Sequence, residues 1–253
     1  MKITFLGTGT SQGIPVIGCR CAVCCSLDRR DQRLRVSVLI ELADKVLVID
    51  SGPDFRYQML RAGVQDLDAI LYTHEHKDHI AGLDDIRPFN YLLKKRIDIY
   101  AVPRVQEALR REFSYIFSDV PYHGLPQINL HTIGAAPFSI GKNLIQPIQV
   151  MHYKLPVLGY RIGDFTYITD AKTISPEEKE KIKGSRILVL NALQKEPHIS
   201  HFTLEEALAL AAEIGAETTY FTHISHNLGL HAEIERELPP HIRLAYDGLT
   251  LSL

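Results

Sequence analysis

Short apolar or alternating runs, each bounded by turn residues, recur along the whole chain. Residues 3–6, 37–41, 45–49, 69–72 and 97–101 have this pattern, and so do 144–150, 158–162, 165–168, 187–190 and 218–221. Such runs predict strands. Helical periodicity lies between many of them. Ile80, Leu83 and Ile86 fall on one face, and 105–112 is a second candidate. Thr203-Leu204-Glu205-Glu206 has the spacing of a capping box, opens an Ala/Leu-rich helix, and points to an end near Gly215. The stretch 244–251 predicts a hairpin turning at Asp247-Gly248. The fold class is therefore α/β with many short strands.

Polar residues interrupt this pattern at particular places. Asp50, His74, Asp170 and His223 each follow an apolar strand at once or after one residue. The ends of strands are where an open sheet gathers a site. These positions span most of the chain, so its halves must converge. That favours one domain over residues 1–253.

The densest chemistry is Thr73-His74-Glu75-His76-Lys77-Asp78-His79. Imidazole and carboxylate suit Zn²⁺, Mn²⁺ or Fe²⁺. His74 and His76 alternate in an extended stretch and can point to one side. Asp78 and His79 fall where the chain turns into a helix and can serve a second ion. Four potential ligands in six residues at such a turn outweigh a plain solvated loop.

His74-x-His76-x-Asp78-His79 resembles the signature of the metallo-β-lactamase superfamily, and the similarity runs along the whole chain. It implies the four-layer αββα sandwich of that family. It also implies that His152, Asp170 and His223 complete the site. By this resemblance one cation takes His74, His76 and His152. The other takes Asp78, His79 and His223, and Asp170 bridges them. Two such ions, Zn²⁺ or Mn²⁺, about 3.5–4 Å apart would activate a hydroxide and clamp both the attacking and departing oxygens. Asp78 is counted among both the ligands and the catalytic groups. Asp50, followed by Gly52, is expected behind the ligands, orienting a histidine or its loop.

All four cysteines lie between Cys19 and Cys25. That crowding is poor for a disulfide framework and suggests a metal site in a reducing compartment. Cys19-x-Cys21-x-x-Cys24 supplies three thiolates, and tetrahedral zinc needs one more ligand. His226 is the candidate. Cys25 is left without a role. The pattern resembles phosphodiesterases of the PhnP type, which carry a structural Zn²⁺ beside the active site. The opening Leu6-Gly7-Thr8-Gly9-Thr10-Ser11-Gln12-Gly13-Ile14-Pro15 is similar to that group and to the ribonuclease Z family. It is not a dinucleotide fingerprint, because its last glycine comes one position late. His201, before the capped helix, corresponds to a histidine in both families. It would donate a proton or hydrogen bond to a departing oxygen, or stabilise charge on phosphate. His198 is given no role.

Composition narrows the partners. Hydrophobic residues make up 45% of 253, which is enough for a real core, and the net charge is −2. No global basic field attracts nucleic acid, which is the less favoured partner; a small phosphodiester is the substrate the resemblance implies. Lys94, Lys95, Arg96, Arg104, Arg110 and Arg111 in the segment 87–127 read as a solvated face, with a phosphate-binding rim as the alternative. Tyr115, Phe117, Tyr122 and His123 read as packed core, substrate wall or homodimer contact. No apolar stretch reaches the roughly 18 residues of a membrane span, and no signal-peptide pattern follows Met1. A cytoplasmic location is expected. The expected activity is dinuclear metal-dependent hydrolysis of small, cyclic or nucleotide-like phosphodiesters. The alternatives are a ribonuclease Z-like tRNA-processing endonuclease, a PqqB-like metal-binding carrier or sensor without turnover, and a thioester or lactone hydrolase.

Overall fold

The computed structural model describes residues 1–118 and 124–253. Two mixed sheets lie face to face. The first contains β1 (Lys2–Gly7), β2 (Ser37–Glu41), β3 (Val46–Ile49), β4 (Ala69–Leu71), β5 (Ile97–Ala101) and β6 (Ile128–Thr132). The second contains β7 (Phe138–Ile140), β8 (Asn143–His152), β9 (Leu155–Ile162), β10 (Phe165–Tyr167), β11 (Thr173–Ile174), β12 (Ile187–Asn191), β13 (Thr218–Thr222) and β14 (Ile242–Leu244). The last strand, β15 (Thr250–Ser252), returns to the first sheet, whose order is β15-β1-β2-β3-β4-β5-β6. The second sheet runs β11-β8-β9-β10-β12-β13-β14, with β7 also paired to β8.

Period-two alternation assigns the faces. Ile3, Phe5, Val38, Ile40, Leu47 and Ile49 point inward and meet Leu158, Tyr160, Phe165, Tyr167 and Val189 of the other sheet. Leu6, Leu39, Val48 and Ile70 point outward. There they are covered by α1 (Phe55–Ala62), α2 (Lys77–Ile80), α3 (Arg87–Leu93) and α4 (Pro103–Glu112). The outer face of the second sheet packs against α5 (Pro176–Ile182), α6 (Leu204–Ile214) and α7 (His231–Glu237). The layers are therefore αββα, as the family resemblance implies. Among the described residues no helix is long and apolar enough to cross a membrane.

The capping box forms as its spacing predicts. The Thr203 hydroxyl accepts from the Glu206 amide, the Glu206 carboxylate accepts from the Thr203 amide, and Gly215 ends α6 in the left-handed region. Ile80, Leu83 and Ile86 are all buried, but the helix breaks after α2 and continues as a 3₁₀ turn, Leu83–Ile86. At the break, Gly82 passes so close to Gly52 that a Cβ would meet the Gly52 carbonyl oxygen at 2.2 Å.

The tail is not a hairpin. Its two arms join different sheets: β14 runs parallel to β13, and β15 pairs antiparallel with β1. The Asp-Gly turn is real, but tertiary partners fix what it connects. The buried Asp247 carboxylate accepts from the Thr8 hydroxyl, the Leu34 amide and Arg61, and the Gly248 amide donates to the Phe5 carbonyl.

A buried arginine ties the N-terminal loop to this tail. Arg33 donates to the Thr8 hydroxyl at 2.8 Å, to the Ala245 carbonyl, and to Nδ1 of His231 at 3.0 Å. His231 must be neutral to accept. Burial, and then the charges of Arg33 and Arg30, push its pKa down to about 4. The unfolded chain takes up this proton from about pH 6.5 downward, whereas the folded chain resists until about 4. Stability conferred by neutral His231 is thus complete above about 6.5 and is lost as pH falls toward 4. We expect urea unfolding to show about 2 kcal/mol of extra stability loss at pH 5.0 relative to pH 7.5. That increment should vanish in His231→Asn, whose amide oxygen still accepts from Arg33. An identical pH dependence in both proteins would refute the assignment.

Candidate metal centre

Strand direction brings the polar residues together. β3 and β4 are parallel, as are β10, β12 and β13, so Asp50, His74, Asp170 and His223 leave their strands at one end of the sandwich. β8 ends there too, at His152. Asp50, Asp170 and His223 exit with φ of 63°, 54° and 54°. A left-handed backbone costs a non-glycine residue roughly 1–2 kcal/mol, and such strain concentrates at functional sites.

Asp170 is the centre of the cluster. One of its oxygens lies 3.2 Å from His223 Nε2, and the other 3.3 Å from His79 Nε2. His79 Nε2 is also 3.3 Å from an Asp78 oxygen. Three groups of donors lie close enough to hold a cation: His74, His79 and Asp170; Asp78, His79 and His223; and His152, Asp170 and His201. The second is the set expected for one ion, with Asp170 adjoining it. His76 belongs to none of the three. It is exposed, and its ring packs edge-on to His74 and His152 at centroid distances of 4.5 and 5.3 Å. His201 is closer to the donors than a purely external catalytic group would be. Its ring sits 4.5 Å from that of His152 and 4.7 Å from that of His223.

The other edge of each imidazole is held by protein. His79 Nδ1 bonds Asp50 at 2.7 Å, and His74 Nδ1 meets the Thr73 hydroxyl at 3.0 Å. Thr73 in turn donates its amide and hydroxyl to Asp50 at 2.9 and 2.8 Å. His152 Nδ1 donates to the Ser200 carbonyl at 2.9 Å. Asn191 bonds both backbone groups of Ala171, fixing the turn that carries Asp170. Asp50 is thus hydrogen-bonded to both His79 and Thr73, on the side of the imidazoles away from Asp170. Thr73, Asn191 and Ser200 carry no signal in the sequence beyond their neighbours.

The residues fit divalent cations. Nε2 of His74, His79 and His223 is buried without a hydrogen-bond partner, and so are Nδ1 of His201 and of His223. Buried polar nitrogens are rarely left unpaired. Burial, reinforced by charge on His79, holds His74 well below the usual imidazole range. Burial and His223 push His201 down to about 2. These rings are neutral and offer lone pairs. Burial alone would raise the pKa of Asp170, but His223 and His79 outweigh it and keep the carboxylate ionised. Burial likewise opposes charge on His79, and Asp78, Asp170 and Asp50 overcome it. With a cation in place of the proton on His79, anionic oxygens among imidazole lone pairs would suit a divalent ion.

A second cluster lies on the N-terminal loop. Sγ of Cys19, Cys21 and Cys24 lie 3.4, 3.4 and 3.5 Å from His226 Nδ1. Tetrahedral zinc, with Zn–S about 2.3 Å and Zn–N about 2.0–2.1 Å, would separate sulfur from nitrogen by about 3.5 Å. Amides of Val16 and Cys24 donate to the sulfurs of Cys24 and Cys21. That backbone donation, with His226, lowers Cys21 to about 6, whereas burial lifts Cys24 to about 11. Cys25 is exposed and outside the cluster. Tyr122 and His123 lie outside the described residues. Tyr115 donates to Asp84 at 2.6 Å, and Phe117 lies under Arg110.

A family model for the β-lactamase superfamily domain matches residues 45–224. An octanoyltransferase of Porphyromonas gingivalis is 42% identical over 252 residues, covering 98% of this chain and 51% of that protein. A ribonuclease Z of Crocosphaera subtropica is 29% identical over 174 residues, covering 65% of this chain and 48% of its own length. The chain thus spans about half the length of these two curated relatives. A crystal structure of a diphosphatase from the PhnP family superposes with a TM-score of 0.93 at 42% identity, over 100% of this chain and 97% of that one. Zn²⁺-bound PqqB from Methylobacterium extorquens superposes over the full length of both chains with a TM-score of 0.79. At 18% identity it shows the shared fold alone.

Two changes test the two clusters separately. In Gly52→Ala the new Cβ would stand 2.0 Å from the Asp78 carbonyl. Elemental analysis should show loss of the cations bound at the His74–His79 turn while zinc on the thiolates persists. Cys24→Ser should instead lose about one zinc per chain and lower the melting temperature by on the order of 10 °C. Full metal content in either variant would contradict the corresponding site.

Proposed function

The chain belongs to the β-lactamase superfamily and, within it, to the PhnP family, and from that premise we propose that it is a dinuclear metal-dependent phosphodiesterase. The observation that carries this reading is the ring of unpaired imidazole nitrogens converging on Asp170 beside a neutral His201. Asp78, His79 and His223 would hold one cation, and His74, His76 and His152 the other, with Asp170 between them. When bound, such a pair supplies Lewis acidity and lowers the pKa of water toward neutrality. A phosphodiester carries charge that a pair of cations neutralises, and a diphosphate linkage, as the relative's name implies, has the same requirement.

The protein's own contribution is position and hydrogen bonding. Asp50 and Thr73 fix the tautomers and ring planes of His79 and His74. The Ser200 carbonyl does the same for His152. His201, packed between the rings of His152 and His223, is poised to present an N–H to a phosphate oxygen or to the departing oxygen. Because it is held neutral, its role is that of a hydrogen-bond donor. α6 begins just beyond it at Leu204, and its N-terminal end adds positive potential.

Small substrates are favoured over tRNA because most basic side chains of the 87–127 segment are already engaged. Lys95 pairs with Asp66 and Asp68, Arg104 with Glu75, and Arg111 with Glu112. Arg96 donates to Ile128 and Asn129. Octanoyl transfer is a property of a protein twice as long. None of the cysteines of this chain lies among the donors around Asp170.

The test is a panel of bis(p-nitrophenyl) phosphate, its monoester, an aryl diphosphate diester, a lactone and an octanoyl thioester, with metal-loaded protein. Diester cleavage should exceed monoester cleavage by at least about tenfold. His201→Ala should lower kcat by about 10²–10³-fold, within the range for lost transition-state hydrogen bonds, and keep its metals. Preference for the thioester or lactone would overturn the reading, as would inactivity on every diester.

A further inference from the structure

Arg104 stands in the first turn of α4, where the helix dipole favours acidic side chains and disfavours a cation. Its place has a topological reason. β4 and β5 are parallel, so α4 leaves β5 at the end of the sandwich where His74 leaves β4. Val105, Ala108 and Leu109 are buried and fix the helix on the first sheet. From this rigid base the guanidinium reaches in two directions. Nε lies 2.9 and 3.0 Å from the two oxygens of Glu75, and Nη2 donates to the Pro156 carbonyl at 2.6 Å. One side chain thus joins the outer helical layer both to the His74–His79 turn and to the second sheet.

Both attachment points adjoin candidate ligands. Glu75 lies between His74 and His76, so whatever holds its carboxylate holds the backbone that aims both rings. Pro156 follows Leu155, the residue paired with His152 across β8 and β9. The need for such a strut is greatest at His76. His74 is held at Nδ1 by Thr73, and His152 at Nδ1 by Ser200. Among the described residues no hydrogen bond reaches the exposed His76 ring, and it joins none of the three donor groups. Its aim therefore rests on the backbone at Glu75. An ordinary exposed ion pair would contribute little to such a task. Lys77–Glu112, at the other end of α4, is of that kind, with its lysine 67% exposed. Arg104 differs because its planar guanidinium meets two acceptors on separate elements, a geometry that an ammonium does not match.

We propose that Arg104 is a positioning residue: by holding Glu75 and the Pro156 carbonyl together it sets the spacing of His76 and His152, and so governs the cation that His74, His76 and His152 would take. The proposal rests on the dinuclear reading and adds to it a residue that touches neither metal nor substrate. Arg104 is then neither a solvated charge nor part of a phosphate-binding rim, because Nε and Nη2 are already committed. Losing an interaction that orients ligands from outside the ligand set typically weakens metal binding by about 10–100-fold.

The experiment titrates Mn²⁺ into wild type, Arg104→Gln, Arg104→Lys, Glu75→Gln and the double variant Glu75→Gln/Arg104→Gln, with zinc kept on the thiolates. Electron paramagnetic resonance separates a spin-coupled pair from an isolated ion. Wild type should take up two Mn²⁺ as a coupled pair. Arg104→Gln and Glu75→Gln should each weaken one of the two by about 10–100-fold and leave an isolated ion at limiting Mn²⁺. The double variant should bind no worse than Arg104→Gln, because both residues act through one contact. Arg104→Lys should fall between wild type and Arg104→Gln, keeping the pair with Glu75 and losing the Pro156 carbonyl. Unchanged affinity for both ions in Arg104→Gln would overturn the proposal. Equal weakening of both ions would overturn it too, marking general disorder of the turn, and so would additive losses in the double variant. A raised KM for bis(p-nitrophenyl) phosphate with unchanged metal uptake would assign Arg104 to the substrate instead. If Arg104→Gln does not fold, Glu75→Gln and Arg104→Lys carry the same comparison. Fewer than two Mn²⁺ in wild type would sink the dinuclear reading and this proposal together. Two Mn²⁺ in wild type without cleavage of any diester would sink the phosphodiesterase reading alone.

Discussion

Everything in this molecule is arranged around the cost of burying Asp170, Asp50, His74, His79 and His223 together. An ionised carboxylate in a dry interior is stable only with compensating charge and hydrogen bonds. Asp50 has them within the protein: two from Thr73 and one from His79. Asp170 has less: one hydrogen bond, from the Thr169 hydroxyl at 2.7 Å, and otherwise imidazole nitrogens 3.2–3.3 Å away. Without cations, protons on His79 would have to supply the missing positive charge. Divalent ions supply it better, because they use the lone pairs of several neutral rings at once. The polar pocket is thus a receptor whose own electrostatics demand occupancy, and the sandwich must be rigid enough to hold it open.

That rigidity comes from ordinary β-sheet chemistry. Inward residues of the two sheets form one continuous layer from Ile3 to Val189, and it ends where the strands end. The site occupies the rim of this layer. There the chain must turn sharply between strand and loop, and the left-handed residues Asp50, Asp170 and His223 make the turns. Glycine would adopt those angles at less cost, but glycine has no ligand atom. Gly52 and Gly82 show the converse choice: their backbones nearly touch, so no side chain is tolerated, and this close approach packs the Asp50 loop against the turn bearing Asp78 and His79.

Much of this was legible in the sequence, and the division is physical. The ten runs read as strands all pair, because alternation reflects burial on two faces, which is a local property of the pattern. The chelate spacing from His74 to His79 was legible for the same reason. Asp170 and His223 were marked by their places at strand ends, but their pairing with the cluster, and His152 altogether, came from family resemblance. β6, β7, β11, α1, α3, α5 and α7 were missed. β11 is two residues long, and α1 exposes Tyr57 and Leu60, so its apolar face is blurred. The tail misled because a turn motif encodes a reversal and not a partner. The open edge of β1 captured β15. The position of His201 within ligand distance of Asp170, at 3.9 Å, also depends on packing that no linear pattern encodes.

The two metal-binding clusters are mechanically one device. His223 and His226 share the short loop after β13. The backbone of Ile224 between them is locked to the N-terminal loop, donating to the Thr8 carbonyl and accepting from the Thr10 amide. Cys19, Cys21 and Cys24 close the same loop onto His226. A metal on the thiolates would therefore clamp the His223 loop from behind. His74 and His79 hang instead on Asp50 and Thr73. Loosening the thiolate cluster would thus reach the Asp78, His79 and His223 group through the position of His223, without removing any of its donors. The N-terminal cysteines are thus tied, through His226, to the position of a histidine some two hundred residues away.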